Sequence, residues 1–344
     1  MEDLGGTATH LIVEQYGAFI ARRSERLRVS VKGEVVAERP LHGLEQVVIS
    51  SAGVSLSSDA IRACAEEGIQ IQFLSRTGSP YARLTAPGLV GTVRTRREQL
   101  LAFEDERGAS LCRAIAAGKA LNQATMLRYL AKNRRETTPE AFELAREAAL
   151  FIQEDARRIQ EVEGATADAV RQEVLTLEAR AARRYWEAAR ALLLPELGWE
   201  RRETRGATDV VNVCLNYGYG ILYGEMERGC ILAGLDPYAG FLHVDRAGKP
   251  SLSLDLIEEF RQAVVDRTVF GLLNRGVEPD IDNGRLSEPA RRQLAEKVLE
   301  RLDGREPYEG RQHTLRTIIQ LQARALAAYV RRERPVYVPF KARW

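Results

Sequence analysis

Residues 44–75, LEQVVISSAGVSLSSDAIRACAEEGIQIQFLS, decide the expected fold of the N-terminal part of the chain. LEQVVIS is a compact apolar strand, and IQIQFLS alternates apolar and polar residues with a period of two, as strands do. Between them, SSDAIRACAEEG predicts one short helix, opened by Ser58 or Asp59 as its cap and closed by Gly68. The stretch therefore predicts a strand, a helix and a strand in succession.

The flanking residues extend this pattern in both directions. HLIVEQYGAFIARRSERLRVSV (10–31) holds two or three candidate strands, and KGEVVAERP (32–40) adds a glycine turn and another strand. GSPYARLTAPGLVG (78–91) is rich in Gly and Pro, which predicts a linker or a protruding hairpin. We place a domain boundary there, near Pro87.

From about Thr92 onward the pattern becomes helical, with apolar residues three and four apart in stretches rich in Ala, Leu, Arg and Glu. A chain of 344 residues also exceeds what one compact core usually holds. We therefore expect an α+β protein. A small β-rich N-terminal domain over residues 1–87 is followed by a larger all-α domain over residues 88–344.

The composition, 45% hydrophobic and 28% charged, is that of a globular protein. No run of about 18 apolar residues is present to span a membrane, and Met1 to Gly6 lack the features of a signal peptide. We therefore expect a cytoplasmic protein without a membrane partner. Four scattered cysteines without a CxxC pair, Cys64, Cys112, Cys214 and Cys230, indicate buried thiols and not a zinc site or a disulfide framework.

The net charge of +2 does not by itself indicate a nucleic-acid partner. Nearly all basic residues are arginines, whose planar fork matches phosphate oxygens. A GC-rich genome or growth at high temperature would produce the same bias, so the arginines alone decide nothing.

The first segment that could carry chemistry is EVLTLEARAARRYWEAARALLL (173–194). Its apolar stripe includes Val174 and Tyr185, and helical spacing places Glu178 on or beside that face. A carboxylate there needs a partner: an arginine, a hydrogen-bond donor or a metal. A structural ion pair with Arg is the simplest alternative to a functional role.

The second segment is NYGYGILYGEMERGCILAGLDPYAGFLHVD (216–245). A helix runs to about Ala233, and the turn GLDPYAG ends it. His243 follows immediately and is well placed to face a cleft, although a lone histidine can also be purely structural.

The third segment is GKPSLSLDLIEEFRQAVVDRTVF (248–270), in which Asp255 and Glu258 lie three apart on the same side of a helix. Asp255 as an N-cap with Glu258 as its capping-box partner would explain both carboxylates without chemistry. Together with Glu178 and His243, however, they form a mixed oxygen and nitrogen ligand set that suits Mn²⁺ or Mg²⁺. Zinc is disfavoured, because there is no cysteine ligand and no HExxH pattern.

Taken together, LEARAARRYW (177–186), NYGYGILYGEMERGCILAGLDPYAGFLH (216–243) and SLSLDLIEEFR (251–261) resemble the universal CRISPR-associated endonuclease family. Its members are the integrases that insert new spacers into CRISPR arrays. LIVEQYGAFIARRSERLRV (11–29) also looks like the opening strands of that family. Many members have Gly after the glutamate of the first segment, where this chain has Ala179.

The resemblance implies a β-rich N-terminal domain used for dimerisation and an α-helical catalytic domain. It implies Glu178, His243 and Glu258 as catalytic metal ligands for Mn²⁺ or Mg²⁺, with Asp255 beside them. The implied reaction is a transesterification, in which the 3′-hydroxyl of a DNA fragment attacks a phosphodiester at the edge of a CRISPR repeat. The implied partners are DNA, a second copy of the chain and a small second CRISPR adaptation protein.

DNA phosphates should be held by local basic side chains. Arg246 and Lys249, between the histidine and the acidic helix, are the first candidates, and Arg184, Arg94, Arg96 and Arg97 come next. Two other functions remain open from the residues: a metal-dependent repair nuclease with the same ligands, and a non-enzymatic DNA-binding scaffold in which these residues are structural.

Overall fold

The computed structural model describes residues 10–75, 78, 80–84 and 93–344. The N-terminal residues 1–6 and the boundary predicted near Pro87 lie outside these ranges. The strands are β1 (His10–Val13), β2 (Ala18–Arg23), β3 (Arg26–Val31), β4 (Glu34–Pro40), β5 (Gln46–Ile49), β6 (Ser55–Leu56), β7 (Gln70–Leu74), β8 (Pro80–Leu84), β9 (Ile281–Asp282), β10 (Arg285–Leu286), β11 (Arg305–Tyr308) and β12 (Arg311–Thr314).

The α-helices are α1 (Ser58–Glu66), α2 (Val93–Phe103), α3 (Glu106–Ala131), α4 (Pro139–Glu161), α5 (Ala167–Ala191), α6 (Val210–Leu232), α7 (Ser251–Ile257), α8 (Arg267–Leu273), α9 (Glu288–Asp303) and α10 (Leu315–Val330). A short 3₁₀ turn lies at Pro195–Leu197, and a π-helical turn at Gln262–Asp266 precedes α8. Among the helices that the structure describes, none is both long and apolar enough to cross a lipid bilayer.

The chain divides into two compact units, and the division differs from the predicted one. The first unit contains the described residues up to Leu84 together with residues 204–224 and 278–301, and the second contains residues 93–203, 225–277 and 302–344. Two segments from the predicted all-α part therefore belong to the β-rich unit. Close packing within that unit explains this: a Cβ on Gly224 of α6 would lie 2.1 Å from Oε1 of Gln72 on β7.

The first unit contains two four-stranded sheets, with strand orders β1-β5-β7-β8 and β4-β3-β2-β6. β5, α1 and β7 are the predicted strand, helix and strand, although the short strand β6 lies between β5 and α1 in the sequence. β5 and β7 pair in parallel. The cap of α1 is Ser57, and not Ser58 or Asp59, because the Ser57 hydroxyl accepts the N–H of Ala60 at 3.1 Å. Apolar side chains from both sheets, among them Leu11, Ile20 and Val47, form one buried cluster.

The predicted α+β class is confirmed, since strands predominate before residue 85 and helices after residue 92. Residues 10–31 form three strands, the upper number expected. Two short hairpins, β9–β10 and β11–β12, interrupt the part predicted to be all-α. The first turns at Asn283 and Gly284, both with positive φ, as a two-residue hairpin turn requires. All four cysteines are buried thiols outside any disulfide, as predicted.

Within the second unit, α3 packs against α4 and α5, and α4 packs against α5. The buried face of α5 includes Val174, Ala181 and Tyr185, which confirms the apolar stripe expected there. These packed helices form the scaffold on which the predicted site residues lie.

The first unit contains a buried carboxylate that should make stability depend on pH. Glu14 accepts the hydroxyl of Ser50 at 3.2 Å and contacts Arg292 at 3.4 Å. Burial nevertheless outweighs the positive charges of Arg291 and Arg292 and raises the pKa of Glu14 from 4.5 to about 7. The unfolded chain therefore loses this proton near pH 4.5, whereas the folded chain keeps it to about pH 7. The Glu14 contribution to the free energy of unfolding should fall by up to about 3 kcal/mol across that range and then remain constant.

Comparison with Glu14→Gln, which keeps the acceptor for Ser50 but cannot ionise, isolates this contribution. We expect the variant to gain stability relative to the wild type between pH 5 and pH 8, measured by urea denaturation at both pH values. A difference between the two proteins that does not change with pH would contradict the assignment.

Candidate functional site

All four predicted site residues lie in the second unit. Glu178 is on α5, and His243 follows the turn after α6. Asp255 is in α7, and Glu258 is the residue that caps the C-terminal end of that helix. These residues, which come from three separate sequence segments, therefore lie in the same packed helical unit.

Asp255 organises the loop that carries His243. Its Oδ2 accepts the backbone N–H groups of Phe241 at 2.6 Å and Leu242 at 3.0 Å, and its Oδ1 accepts that of His243 at 2.8 Å. The same Oδ1 lies 2.7 Å from Nδ1 of His243. Because the carboxylate is fully buried, these hydrogen bonds are the ones that satisfy it. Asp255 therefore fixes both the loop and the imidazole ring.

This arrangement excludes the capping-box explanation of the two carboxylates. α7 begins at Ser251 after Pro250, which makes no side-chain cap. Asp255 is therefore inside the helix and not at its N-cap. Glu258 lies beyond the last helical residue and contacts other side chains, so neither carboxylate serves to start the helix.

With Nδ1 of His243 directed at Asp255, Nε2 is the ring nitrogen left to bind a ligand. Burial by itself would lower the pKa of His243, but the hydrogen bond to Asp255 and the negative charges of Asp255 and Glu258 outweigh it. The pKa of His243 is therefore raised, and the imidazole is close enough to Glu258 to be affected by its charge.

Glu178 and Glu258 meet at a residue that the sequence did not single out, Lys119 of α3. The Nζ atom of Lys119 lies 2.5 Å from Oε1 of Glu178 and 2.6 Å from Oε2 of Glu258. Arg261 contacts the other oxygen of Glu258 at 2.6 Å. The ion pair anticipated for Glu178 exists, but its partner is a lysine and not an arginine.

The charges in this cluster compensate one another. Burial would raise the pKa of Glu258, but Arg261, Lys119 and His243 outweigh burial and lower it. Burial would likewise lower the pKa of Lys119, but Glu258 and Glu178 raise it. The ammonium and the Glu258 carboxylate therefore stay charged at neutral pH.

The donor set fits a hard divalent cation in chemistry and charge. Glu178 and Glu258 share one mostly buried cation, and an oriented imidazole lies near Glu258. Across the ranges described above, no three His, Cys, Asp or Glu side chains stand close enough together to hold a metal ion. Lys119 occupies the space between the carboxylates, so a metal ion would have to displace its ammonium.

The basic residues predicted to contact DNA differ from one another in their exposure and in the side chains that they contact. Arg246 and Lys249 are exposed in a tight turn between His243 and α7, where the carbonyl of Arg246 accepts the N–H of Lys249 at 3.0 Å. Neither forms an ion pair with a carboxylate of the described residues. The guanidinium of Arg184 lies 5.0 Å from the ring centroid of Phe151, and Arg94 lies 3.9 Å from Glu333.

Sequence comparison places this chain among known proteins along almost its whole length. The family described as "CRISPR associated protein Cas1" matches residues 11–300. The "CRISPR-associated endonuclease Cas1 1" of Archaeoglobus fulgidus is 39% identical over 347 residues, which cover 97% of this chain and 99% of the relative.

Two solved structures share the fold. The "Casposase bound to integration product" has a TM-score of 0.80 at 22% identity and covers 96% of this chain and 92% of its own. The "Cas6-RT-Cas1--Cas2 complex" has a TM-score of 0.77 at 20% identity and covers 97% of this chain and 36% of its own. At these identities the likeness extends to the fold alone.

Proposed function

This chain belongs to the CRISPR associated protein Cas1 family, and from that premise we propose that it inserts new spacers into a CRISPR array by metal-dependent strand transfer. The observation that carries the proposal is the contact of Glu178 and Glu258 with the same mostly buried ammonium, that of Lys119, next to the oriented imidazole of His243. A cluster with only a structural role does not require a histidine whose Nδ1 is fixed by a carboxylate while its Nε2 remains available to a ligand. The endonuclease name of the relative from Archaeoglobus fulgidus supports the same activity for this chain.

We propose Glu178, His243 and Glu258 as the residues that hold Mn²⁺ or Mg²⁺. When bound, such an ion neutralises phosphodiester charge and lowers the pKa of the attacking hydroxyl. Asp255 keeps Nε2 of His243 available by engaging Nδ1. Lys119, once released from the two carboxylates, and Arg261 supply positive charge beside the phosphate oxygens.

In the proposed reaction, the 3′-hydroxyl oxygen of the incoming DNA forms a bond to a phosphorus atom at the edge of a repeat. The bond from that phosphorus to the 3′-oxygen of the broken strand is cleaved. The attacking hydroxyl gives up its proton to solvent, and the leaving 3′-oxygen takes one up, so the step is balanced in protons. The number of phosphodiester bonds does not change, so no external energy source is needed. With water as the nucleophile, the same site would act as a nuclease.

We also propose the partners that such a reaction requires: DNA, a second copy of this chain and a small second CRISPR adaptation protein. Support comes from the fold shared with a Cas1–Cas2 complex and with a casposase bound to its integration product. Arg246 and Lys249 lie exposed beside His243 and supply positive charge for DNA phosphates. Binding to DNA should therefore weaken steeply as salt increases.

Resolution of a branched DNA, the reverse of integration, tests this function without requiring the second protein. We expect the chain to rejoin the duplex and release the flap with Mn²⁺ and to do neither with EDTA. Degradation of the DNA without rejoining would favour the repair nuclease, and an inert protein that still binds DNA would favour the scaffold.

A further inference from the structure

Residues 337–342, close to the C-terminal end of the sequence, form a segment that we call the C-terminal strap. It contacts Glu259, the residue directly after Glu258. The hydroxyl of Tyr337 donates to Oε1 of Glu259 at 2.6 Å, and the N–H of Phe340 donates to its Oε2 at 2.7 Å. Tyr337, Phe340 and Glu259 are all buried. Both carboxylate oxygens of Glu259 are thus used to bind the strap.

The strap also packs on the next residue of the same turn. The rings of Phe340 and Phe260 stack in parallel, with centroids 4.8 Å apart and planes at 2°. Glu258, Glu259 and Phe260 lie between the end of α7 and the π-helical turn, and their N–H groups reach back only three residues. Because this turn lacks a regular α-helical ladder, side-chain contacts have a larger part in fixing its geometry.

Asn122 of α3 ties the strap and the turn together. Its Nδ2 donates to the carbonyl of Glu259 at 2.8 Å and to that of Phe340 at 2.9 Å. Its Oδ1 accepts the N–H of Ala342 at 2.9 Å. Asn122 is fully buried, so the loss of any partner would leave a polar group unsatisfied.

The strap also reaches the immediate neighbour of Lys119. A Cβ on Gly118 would lie 2.7 Å from Cβ of Pro339, so only glycine permits this approach. Gly118 and Asn122 lie on either side of Lys119 in the sequence. The strap therefore contacts α3 beside Lys119 and the turn beside Glu258.

We propose that the C-terminal strap positions Glu258 against Lys119, and that it thereby sets the geometry of the metal site. This inference rests on the proposed role of Glu258 as a ligand. The strap residues are positioning residues, because they act through the two segments that they join. Removal of a packed strap contact should let the carboxylate and the ammonium separate without unfolding the helices.

Phe340→Ala tests the proposal, with Ile152→Ala as a matched control. Ile152 is fully buried in α4 of the same unit, so its truncation also costs stability, but it belongs neither to the strap nor to the turn at 258–260. The first readout needs no metal: limited acetylation followed by mass spectrometry reports how well Lys119 is shielded, with the half-exposed Lys297 as the internal reference. We expect several-fold faster labelling of Lys119 in Phe340→Ala and no change in Ile152→Ala.

The second readout is the dissociation constant for Mn²⁺, measured by electron paramagnetic resonance. Phe340→Ala should weaken binding about 10-fold, as loss of a supporting contact typically does, and Ile152→Ala should not. If Phe340→Ala fails to fold, Tyr337→Phe, which removes one hydroxyl, should show smaller shifts in the same direction.

Equal labelling and equal affinity in the strap variant and the wild type would overturn the proposal, as would equal effects in Ile152→Ala. A wild type that binds no Mn²⁺ would refute the proposed metal site, but Lys119 labelling would still decide whether the strap sets the position of Glu258.

Discussion

His243→Ala should abolish metal-dependent rejoining of branched DNA, with a loss on the order of 10³-fold. A metal ion contributes several kcal/mol to transition-state stabilisation, and each 1.36 kcal/mol lost lowers the rate tenfold. The variant should still fold, because Asp255 keeps the backbone N–H groups of Phe241, Leu242 and residue 243 as donors. The measurement is the single-turnover rate of flap release with saturating Mn²⁺.

His313→Ala is the matched control, since His313 is also partly buried in the second unit but lies on β12, outside the cluster. It should keep the wild-type rate. Activity in a folded His243→Ala protein within a few-fold of the wild type would exclude His243 as a ligand and favour a different site.

The sequence was informative where a local pattern determines the structure. Alternation in IQIQFLS predicted β7, and the turn GLDPYAG before His243 predicted the end of α6. The spacing of Asp255 and Glu258 placed both near one helix, but it could not show where that helix begins. The helix begins at Ser251, so Asp255 anchors the His243 loop and is not a cap. Ser251 contacts Gly240, whose N–H its hydroxyl accepts at 2.9 Å, and this contact joins residues 11 positions apart in sequence.

Lys119 could not be identified as a site residue because its role depends on contacts distant in sequence. One signal was nevertheless present in AAGKALNQ (116–123), where a lysine lies among small and apolar residues of a predicted helix. Only six of the 50 basic residues are lysines, so a lysine at such a position is unusual in this chain. A buried ammonium requires carboxylate partners, but which carboxylates they are is a property of the folded chain.

Local sequence patterns also could not predict which segments of the chain belong to each of the two units. Residues 204–224 and 278–301 fall by sequence in the part predicted to be the all-α domain, yet they pack in the β-rich unit. The glycines of α6, Gly220 and Gly224, permit this packing, since a Cβ on either would collide with Gly78 or Gln72. Small residues in a helix indicate that another segment packs closely against it, but they do not specify which segment that is.

Lys119→Met should destabilise the metal-free protein by about 3–5 kcal/mol, the usual cost of removing one partner from a buried ion pair. Methionine fills a similar volume, so the loss would come from charge and not from a cavity. Glu178 and Glu258 would then face each other without the ammonium that now separates them. The loss should shrink at low pH, where one of the two carboxylates can take up a proton.

Divalent metal distinguishes this cluster from an ordinary structural ion pair. If Glu178 and Glu258 are ligands, Mn²⁺ replaces the missing positive charge, and it should raise the melting temperature of Lys119→Met more than that of the wild type. In the wild type, Mn²⁺ must first displace the ammonium of Lys119, so the increase in melting temperature should be smaller. Lys297→Met is the control, because its pair with Glu300 is exposed and worth at most about 1 kcal/mol. Loss of stability in Lys119→Met that Mn²⁺ leaves unchanged would mean that the two carboxylates serve the fold and do not bind metal.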